Sequence, residues 1–175
     1  AIRNGTALID ISPLFKYMVT GPGAVHLVDR VITRDAHRMR PGQVIYTPWC
    51  NEQGRVLDDG TVTRLGEQAF RWTAAEPNLR WFRQQSAGLD VQIEDVSEQV
   101  AALALQGPTS AALLRSIIDG DIDGVKYFGM TSVKIAGAAV DVSRTGYTGA
   151  PGSEIGMDRA QALTARGAIV AARPP

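Results

Sequence analysis

Three short stretches hold residue types able to do chemistry. Asp58-Asp59-Gly60 sets two carboxylates side by side in sequence that otherwise reads as strand. Such groups accept hydrogen bonds, balance a positive charge or relay a proton. Tyr46 and Trp49 bring a phenol and an indole to the preceding strand-like run. Ser143-Arg144-Thr145-Gly146-Tyr147-Thr148-Gly149 combines glycines and hydroxyls, and Glu154 follows just beyond it. Glycines let backbone approach a ligand closely, and a tyrosine offers a planar heterocycle both a flat face and a hydroxyl.

Each stretch also has a purely structural reading. Asp-Gly is a favoured hairpin dipeptide, so 58–60 reads as a turn as readily as a site. Tyr46 and Trp49 alternate with Thr47 and Pro48, which suits packing on a sheet face. The 143–149 stretch reads as a solvated surface hairpin, but its glycines and hydroxyls cannot fill a core, so it must be a shaped loop. It carries no Walker-type lysine, and Gly21-Pro22-Gly23 lacks the dinucleotide fingerprint, so phosphate cradling is disfavoured.

The elements that must position these residues follow from pattern. Met18-Val19-Thr20-Gly21-Pro22 and Ala104-Leu105-Gln106-Gly107-Pro108 form a weak repeat in which an apolar strand runs through Gly-Pro into a helical pattern. Ala24, Leu27, Val28, Val31 and Ile32 recur at helical spacing after the first corner, and Ala111, Leu114, Ile117 and Ile118 after the second. A third helix is predicted from Pro77 to near Gly88. Strands are predicted at 43–49 and 55–57, paired antiparallel across the Asn51-Glu52-Gln53-Gly54 turn, and at 61–65, 69–74, 91–96, 101–106, 131–135 and 140–143. Gly137 closes the last two into a hairpin. The fold class expected is α+β, antiparallel sheets with helices on one face, rather than a doubly wound parallel sheet. Residues 160–172 read as a short amphipathic helix, followed by Arg173-Pro174-Pro175.

Composition bounds the function. The chain has 175 residues, of which 45% are hydrophobic, enough for a real core. Lysine plus arginine (18) balance aspartate plus glutamate (18), so no overall field attracts nucleic acid or an anionic membrane. One cysteine, Cys50, cannot form an internal disulfide, and His26 and His37 beside it are too few for a structural zinc site. No metal is expected. No apolar stretch reaches the roughly 18 residues of a membrane span, and the first residues lack the apolar region of a signal peptide. A cytoplasmic location with a reducing milieu is the expectation.

Taken in order, Asp10-Ile11-Ser12, Val19-Thr20-Gly21-Pro22, Pro41-Gly42-Gln43 with Tyr46, Asn51-Glu52-Gln53-Gly54 with Leu57-Asp58-Asp59, Leu103 to Pro108 and Ser143 to Gly149 resemble the aminomethyltransferase family. Its members are the T-protein of the glycine cleavage system and related folate-dependent one-carbon transferases. The likeness runs from about Leu8 to Ile155 and covers an N-terminal half. It implies a cloverleaf fold lacking its C-terminal barrel, with 1–155 as a folate-binding portion and 156–175 as an atypical or truncated tail. It further implies tetrahydrofolate as cofactor, a small-molecule one-carbon donor or a lipoyl-type carrier protein as partner, and neither nucleic acid nor membrane.

Carried over by position, Asp59 resembles the family's catalytic aspartate and Tyr46 a tyrosine of the same pocket. Arg144, Tyr147 and Glu154 resemble residues that bind the cofactor. Glu154 suits the pyrimidine edge of a pterin, whose ring N–H and amino group present two parallel donors to one carboxylate. Asp58 should point to the opposite strand face and be structural. Thr63 and Thr73 stand where a tyrosine and an asparagine are usual, and Ala150-Pro151 replaces an acidic pair. Residues 156–158 lose the expected strand pattern. These departures leave open an aminomethyltransferase, a folate-dependent demethylase, a non-catalytic folate-binding module and an inactive fragment.

Overall fold

A computed structural model describes residues 2–172. The chain forms two compact units: Leu14–Ser97, and Ala1–Pro13 together with Glu98–Pro175. Every sheet pairing in both is antiparallel, and each unit lays its helices on one sheet face around a single core, the α+β arrangement expected.

The acidic pair lies in the unit Leu14–Ser97. The strand preceding it in the chain, β1 (Ala7–Asp10), belongs to the other unit. The elements of Leu14–Ser97 are β2 (Phe15–Thr20), α1 (Ala24–Val31), β3 (Val44–Cys50), β4 (Val56–Gly66), β5 (Ala69–Ala74), α2 (Leu79–Gln85) and β6 (Gln92–Asp95). The sheet order is β3-β4-β5-β2-β6. Ala24, Leu27, Val28 and Val31 bury the α1 face read from spacing. Beneath them lies an aromatic cluster: Trp72 stacks on Phe82 at 4.2 Å, and Trp49 and Tyr17 meet Trp72 and Phe82 edge-on at 5.3 Å each.

The acidic pair is no hairpin. Residues 58–60 run inside β4, with Asp58, Asp59 and Gly60 opposite Trp49, Pro48 and Thr47 of β3. Glycine is there for close approach, since a Cβ on Gly60 would stand 2.0 Å from the Thr73 carbonyl oxygen of β5. The turn reading of Asp-Gly is thereby overturned: the real turn is the predicted Asn51–Gly54 one, where Gly54 N–H donates to Asn51 O at 3.0 Å and Gly54 has φ 73°.

In the other unit β1 is joined by β7 (Val100–Gln106), α3 (Ser110–Arg115), β8 (Ile118–Asp119), β9 (Met130–Ile135), β10 (Ala138–Ser143), β11 (Gly152–Asp158) and α4 (Ala162–Ala171). The order is β1-β7-β11-β10-β9-β8. Its core is aliphatic, with Leu103, Leu105, Val140, Val142, Ile155 and Met157 facing Leu114 and Ile169 of the helices. Ala136 and Gly137, at φ 50° and 82°, make the predicted β9–β10 turn. Both Gly-Pro corners are real: Gly21 and Gly107 have φ 116° and 126°, and their carbonyls accept the N–H of Ala24 and Ser110 at 3.0 Å.

Two expectations fail here. The second corner's helix buries Ser110, Leu113 and Leu114 and not the predicted Ala111. It stops early because the Ser116 hydroxyl donates to Leu113 O at 2.7 Å, after which Ile118 pairs with Ile135 as strand. The strand pattern also does not lapse at 156–158. Those residues complete β11, held on both edges by β7 and β10, with Ile155 and Met157 alternating into the core. Glycines at 152 and 156 hide that alternation from a hydropathy reading. The predicted tail helix is present as α4, burying Ala165 and Ile169, while Arg173-Pro174-Pro175 lies outside the described residues.

Candidate functional site

Strand alternation sends the two neighbouring aspartates to opposite faces of β4. Asp58 turns toward α2 and is buried. Its Oδ2 accepts from Asn78 Nδ2 at 2.8 Å and from the Glu76 N–H at 3.0 Å. Asn78 extends this network, taking the Trp49 indole N–H on Oδ1 at 3.1 Å and giving its backbone N–H to the Tyr17 hydroxyl at 2.9 Å. Burial raises the Tyr17 pKa, with lesser upward pushes from Asp95 and Asp58. Asp58 is therefore structural, as alternation predicted.

Asp59 faces the other way and is half-buried. The Tyr46 hydroxyl, on the neighbouring strand, donates to Asp59 Oδ2. These two predicted site residues are thus directly joined. Thr61 lies opposite both Tyr46 and Thr73, so the face around Asp59 is lined by hydroxyls. The departures noted at Thr63 and Thr73 both fall on this face by strand parity.

In the other unit the predicted loop leaves β10 and returns as β11. Glu154 sits on β11 opposite Ser143 and Ala104, on the face away from the helices. Thr145 Oγ1 donates to Glu154 Oε2 at 2.6 Å and lies 2.8 Å from Ser143 Oγ, so a buried hydroxyl orients the carboxylate. Tyr147 is 81% exposed at the loop's tip. Arg144 uses its guanidinium locally, Nη1 donating to Val125 O at 3.3 Å. Its backbone is tied to the same neighbouring segment, through Phe128 N–H to Arg144 O at 3.1 Å. Asp59 and Tyr46 belong to one unit; Arg144, Tyr147 and Glu154 belong to the other.

Sequence reasoning gave no role to Gln106, Thr145 or Asn78. Gln106 is wholly buried and bonds to Thr145, Thr148 and Ser153, so the Leu-Gln-Gly-Pro and Arg-Thr-Gly-Tyr-Thr-Gly motifs form one assembly. A signal existed: an amide closing an otherwise apolar strand must find partners when buried. Among the described residues no cluster of histidine, cysteine, aspartate or glutamate is arranged to hold a metal, and no helix is long and apolar enough to cross a membrane.

All-antiparallel α+β units carrying carboxylates on their helix-free faces define the class, and comparison with known proteins supplies the family. A family description reading "GCVT N-terminal domain" matches residues 1–174. The chain belongs to that family. It is 35% identical over 159 residues to an aminomethyltransferase of Halothermothrix orenii, covering 89% of this chain and 44% of that protein. It is 36% identical over 168 residues to one of Thermoanaerobacter sp. strain X514, covering 93% and 46%. The glycine cleavage system aminomethyltransferase T from Bartonella henselae superposes with TM-score 0.86 at 27% identity over 97% of this chain and 46% of its own. Heterotetrameric sarcosine oxidase from Corynebacterium sp. U-96 superposes with TM-score 0.72 at 19% identity over 98% and 85%, a likeness of fold alone. The chain spans about half the length of the curated relatives it matches.

Proposed function

We propose that this chain supplies the folate-binding half of a tetrahydrofolate-dependent one-carbon transferase, and that the reaction is aminomethyl transfer. The observation that carries the reading is the state of the two acids. Each lies on a helix-free sheet face, and each is oriented by one hydroxyl: Tyr46 on Asp59 and Thr145 on Glu154. Tetrahydrofolate would supply the nucleophilic nitrogen that accepts the one-carbon unit. The residues fit such a group. With Oε2 of Glu154 taking one hydroxyl, the carboxylate keeps acceptor capacity for a ring N–H and an amino group in parallel. Tyr147 offers an exposed ring on the loop that leads into β11, and Arg144 belongs to the same loop.

Asp59 is the proposed catalytic residue. Its carboxylate would stabilise positive charge on the one-carbon donor and relay a proton, while Tyr46 fixes its rotamer and lines the cofactor's pocket. The donor would be a small amine or a group on a lipoyl-type carrier protein, with no nucleic acid or membrane involved, in the cytoplasm. A second reading, demethylation of a methylated small molecule, is favoured by Thr63 and Thr73. Their hydroxyls leave the Asp59 face smaller than the tyrosine and asparagine usual in the family would.

Product analysis decides between the two, since aminomethyl transfer yields methylene-folate with ammonia and demethylation yields methyl-folate. In the complete protein, Asp59→Asn should lower turnover by about 10²- to 10⁴-fold with unchanged folate affinity. Glu154→Gln should weaken folate binding by about 1.5–3 kcal/mol with little change in turnover at saturation. Wild-type turnover in the first variant would remove Asp59 from the chemistry, and unchanged affinity in the second would remove Glu154 from the pterin.

A further inference from the structure

We propose that Gln106 is a positioning residue for ligand capture, the template on which the 143–154 loop takes its shape; this rests on the reading that the loop holds the pterin of tetrahydrofolate. Gln106 is the last residue of β7 and is 0% exposed, so it touches no ligand itself. Its amide reaches both limbs of the loop. Nε2 donates to Thr145 O at 3.3 Å and Ser153 O at 3.4 Å, and Oε1 accepts from Thr148 Oγ1 at 2.9 Å.

The loop is cut to fit this amide. A Cβ on Gly146 would stand 2.3 Å from Gln106 Oε1, and one on Gly152 would stand 2.5 Å from its Cδ. Glycine at both positions leaves room for the buried amide, and at 152 also for the Leu105 carbonyl oxygen, 2.6 Å from the same built Cβ. The cradle is also handed, with two carbonyls facing the donor end and one hydroxyl facing the acceptor end. Asparagine is a methylene too short to span it, and methionine leaves the carbonyls unpaired. Thr145 transmits the constraint: its carbonyl is held by Gln106 while its hydroxyl holds Glu154. Tyr147 lies between Gly146 and Thr148, both of which touch the same amide.

The test measures amide hydrogen exchange across 144–149 in the ligand-free chain, together with tetrahydrofolate affinity by calorimetry. Gln106→Met should raise loop exchange at least tenfold, leave exchange in β4 and β5 unchanged, and weaken tetrahydrofolate at least tenfold. Thr148→Val removes one of the three bonds to the amide, together with the Ala150 N–H bond to the same hydroxyl at 3.4 Å, and leaves Gln106 in place, so it should show the same effects in smaller degree and serves if the first variant does not fold. Gln106→Glu adds a readout that simple destabilisation would not give. A buried carboxyl is neutral at low pH and can donate once and accept once, whereas its anion sets oxygen against two carbonyls. Its folded pKa is raised, so loop order is whole below glutamate's ordinary value and is lost as pH rises through the raised one; wild type should lack this dependence. Loop exchange unchanged in both Gln106→Met and Thr148→Val overturns the proposal, as does a loosened loop with unchanged affinity. A wild-type chain that binds no tetrahydrofolate overturns the functional reading and the proposal with it.

Discussion

Both units run an apolar strand through a Gly-Pro corner into a short helix, yet the polar networks described above lie on opposite sides of their sheets. In Leu14–Ser97 the polar network of Asp58, Asn78, Trp49 and Tyr17 lies under the helices, inside an aromatic core. In the other unit the core under the helices is aliphatic, and a polar network of buried Gln106 and Thr145 with partly buried Glu154 lies on the opposite sheet face. Large aromatic rings leave gaps at their edges and bring an indole N–H and a phenol that need partners, so that core draws in an aspartate and an asparagine. Aliphatic side chains bring no such groups. The second unit is free to spend its buried amide on shaping a loop. The carboxylate on the helix-free face is correspondingly held from a paired strand in one case, Asp59 through Tyr46 of β3, and from a loop in the other, Glu154 through Thr145.

The strongest way to break this comparison is Phe82→Ala, which removes the ring stacked on Trp72. It should cost about 3–5 kcal/mol in denaturant unfolding, with exchange protection lost in β5 and retained in β10. A loss under about 1 kcal/mol would mean the aromatic cluster does not organise that core.

Next comes the pair of neighbouring aspartates. Asp58→Asn turns an amide donor toward donors already present on Glu76 and Asn78 and should cost about 1–3 kcal/mol. Asp59→Asn should change stability by no more than about 0.5 kcal/mol. Equal costs in parallel urea titrations would erase the distinction between the buried, networked carboxylate and the half-buried one on the other face.

Among the buried polar groups the smallest loss is expected at Tyr17. Tyr17→Phe leaves the Asn78 N–H without its acceptor and should cost about 1 kcal/mol at neutral pH. Because burial raises the folded pKa of Tyr17, the unfolded chain ionises first, so wild-type stability is intact below tyrosine's ordinary value of about 10 and falls as pH rises above it. The phenylalanine variant should show a flatter alkaline limb in melts taken across that range. An identical limb would place the alkaline sensitivity elsewhere.

What was legible in the sequence was what short-range rules govern. The Gly-Pro corners, the buried stripe of α1, the Asn51–Gly54 turn and the β9–β10 hairpin each depend on residues a few positions apart, whose backbone preferences and spacing are visible in one dimension. Even the opposite fates of Asp58 and Asp59 followed from strand alternation once a strand was assumed. The same rules misread Asp58-Asp59-Gly60 as a hairpin candidate, because the Thr73 carbonyl that makes Gly60 necessary comes from the next strand over.

The alternation of β11 was hidden for a similar reason: its identity as a strand comes from ladders to β7 and β10, remote in sequence. Gln106 is the clearest case. One amide joins two motifs about forty residues apart, with bonds to Thr145, Thr148 and Ser153. The chain's residue types and local periods determined its fold class, its corners and its chemically able side chains. Only the packed sheets decided which carboxylate is buried and which is presented, and which amide holds the loop, because those outcomes depend on backbone and side-chain partners that register brings together across long stretches of chain.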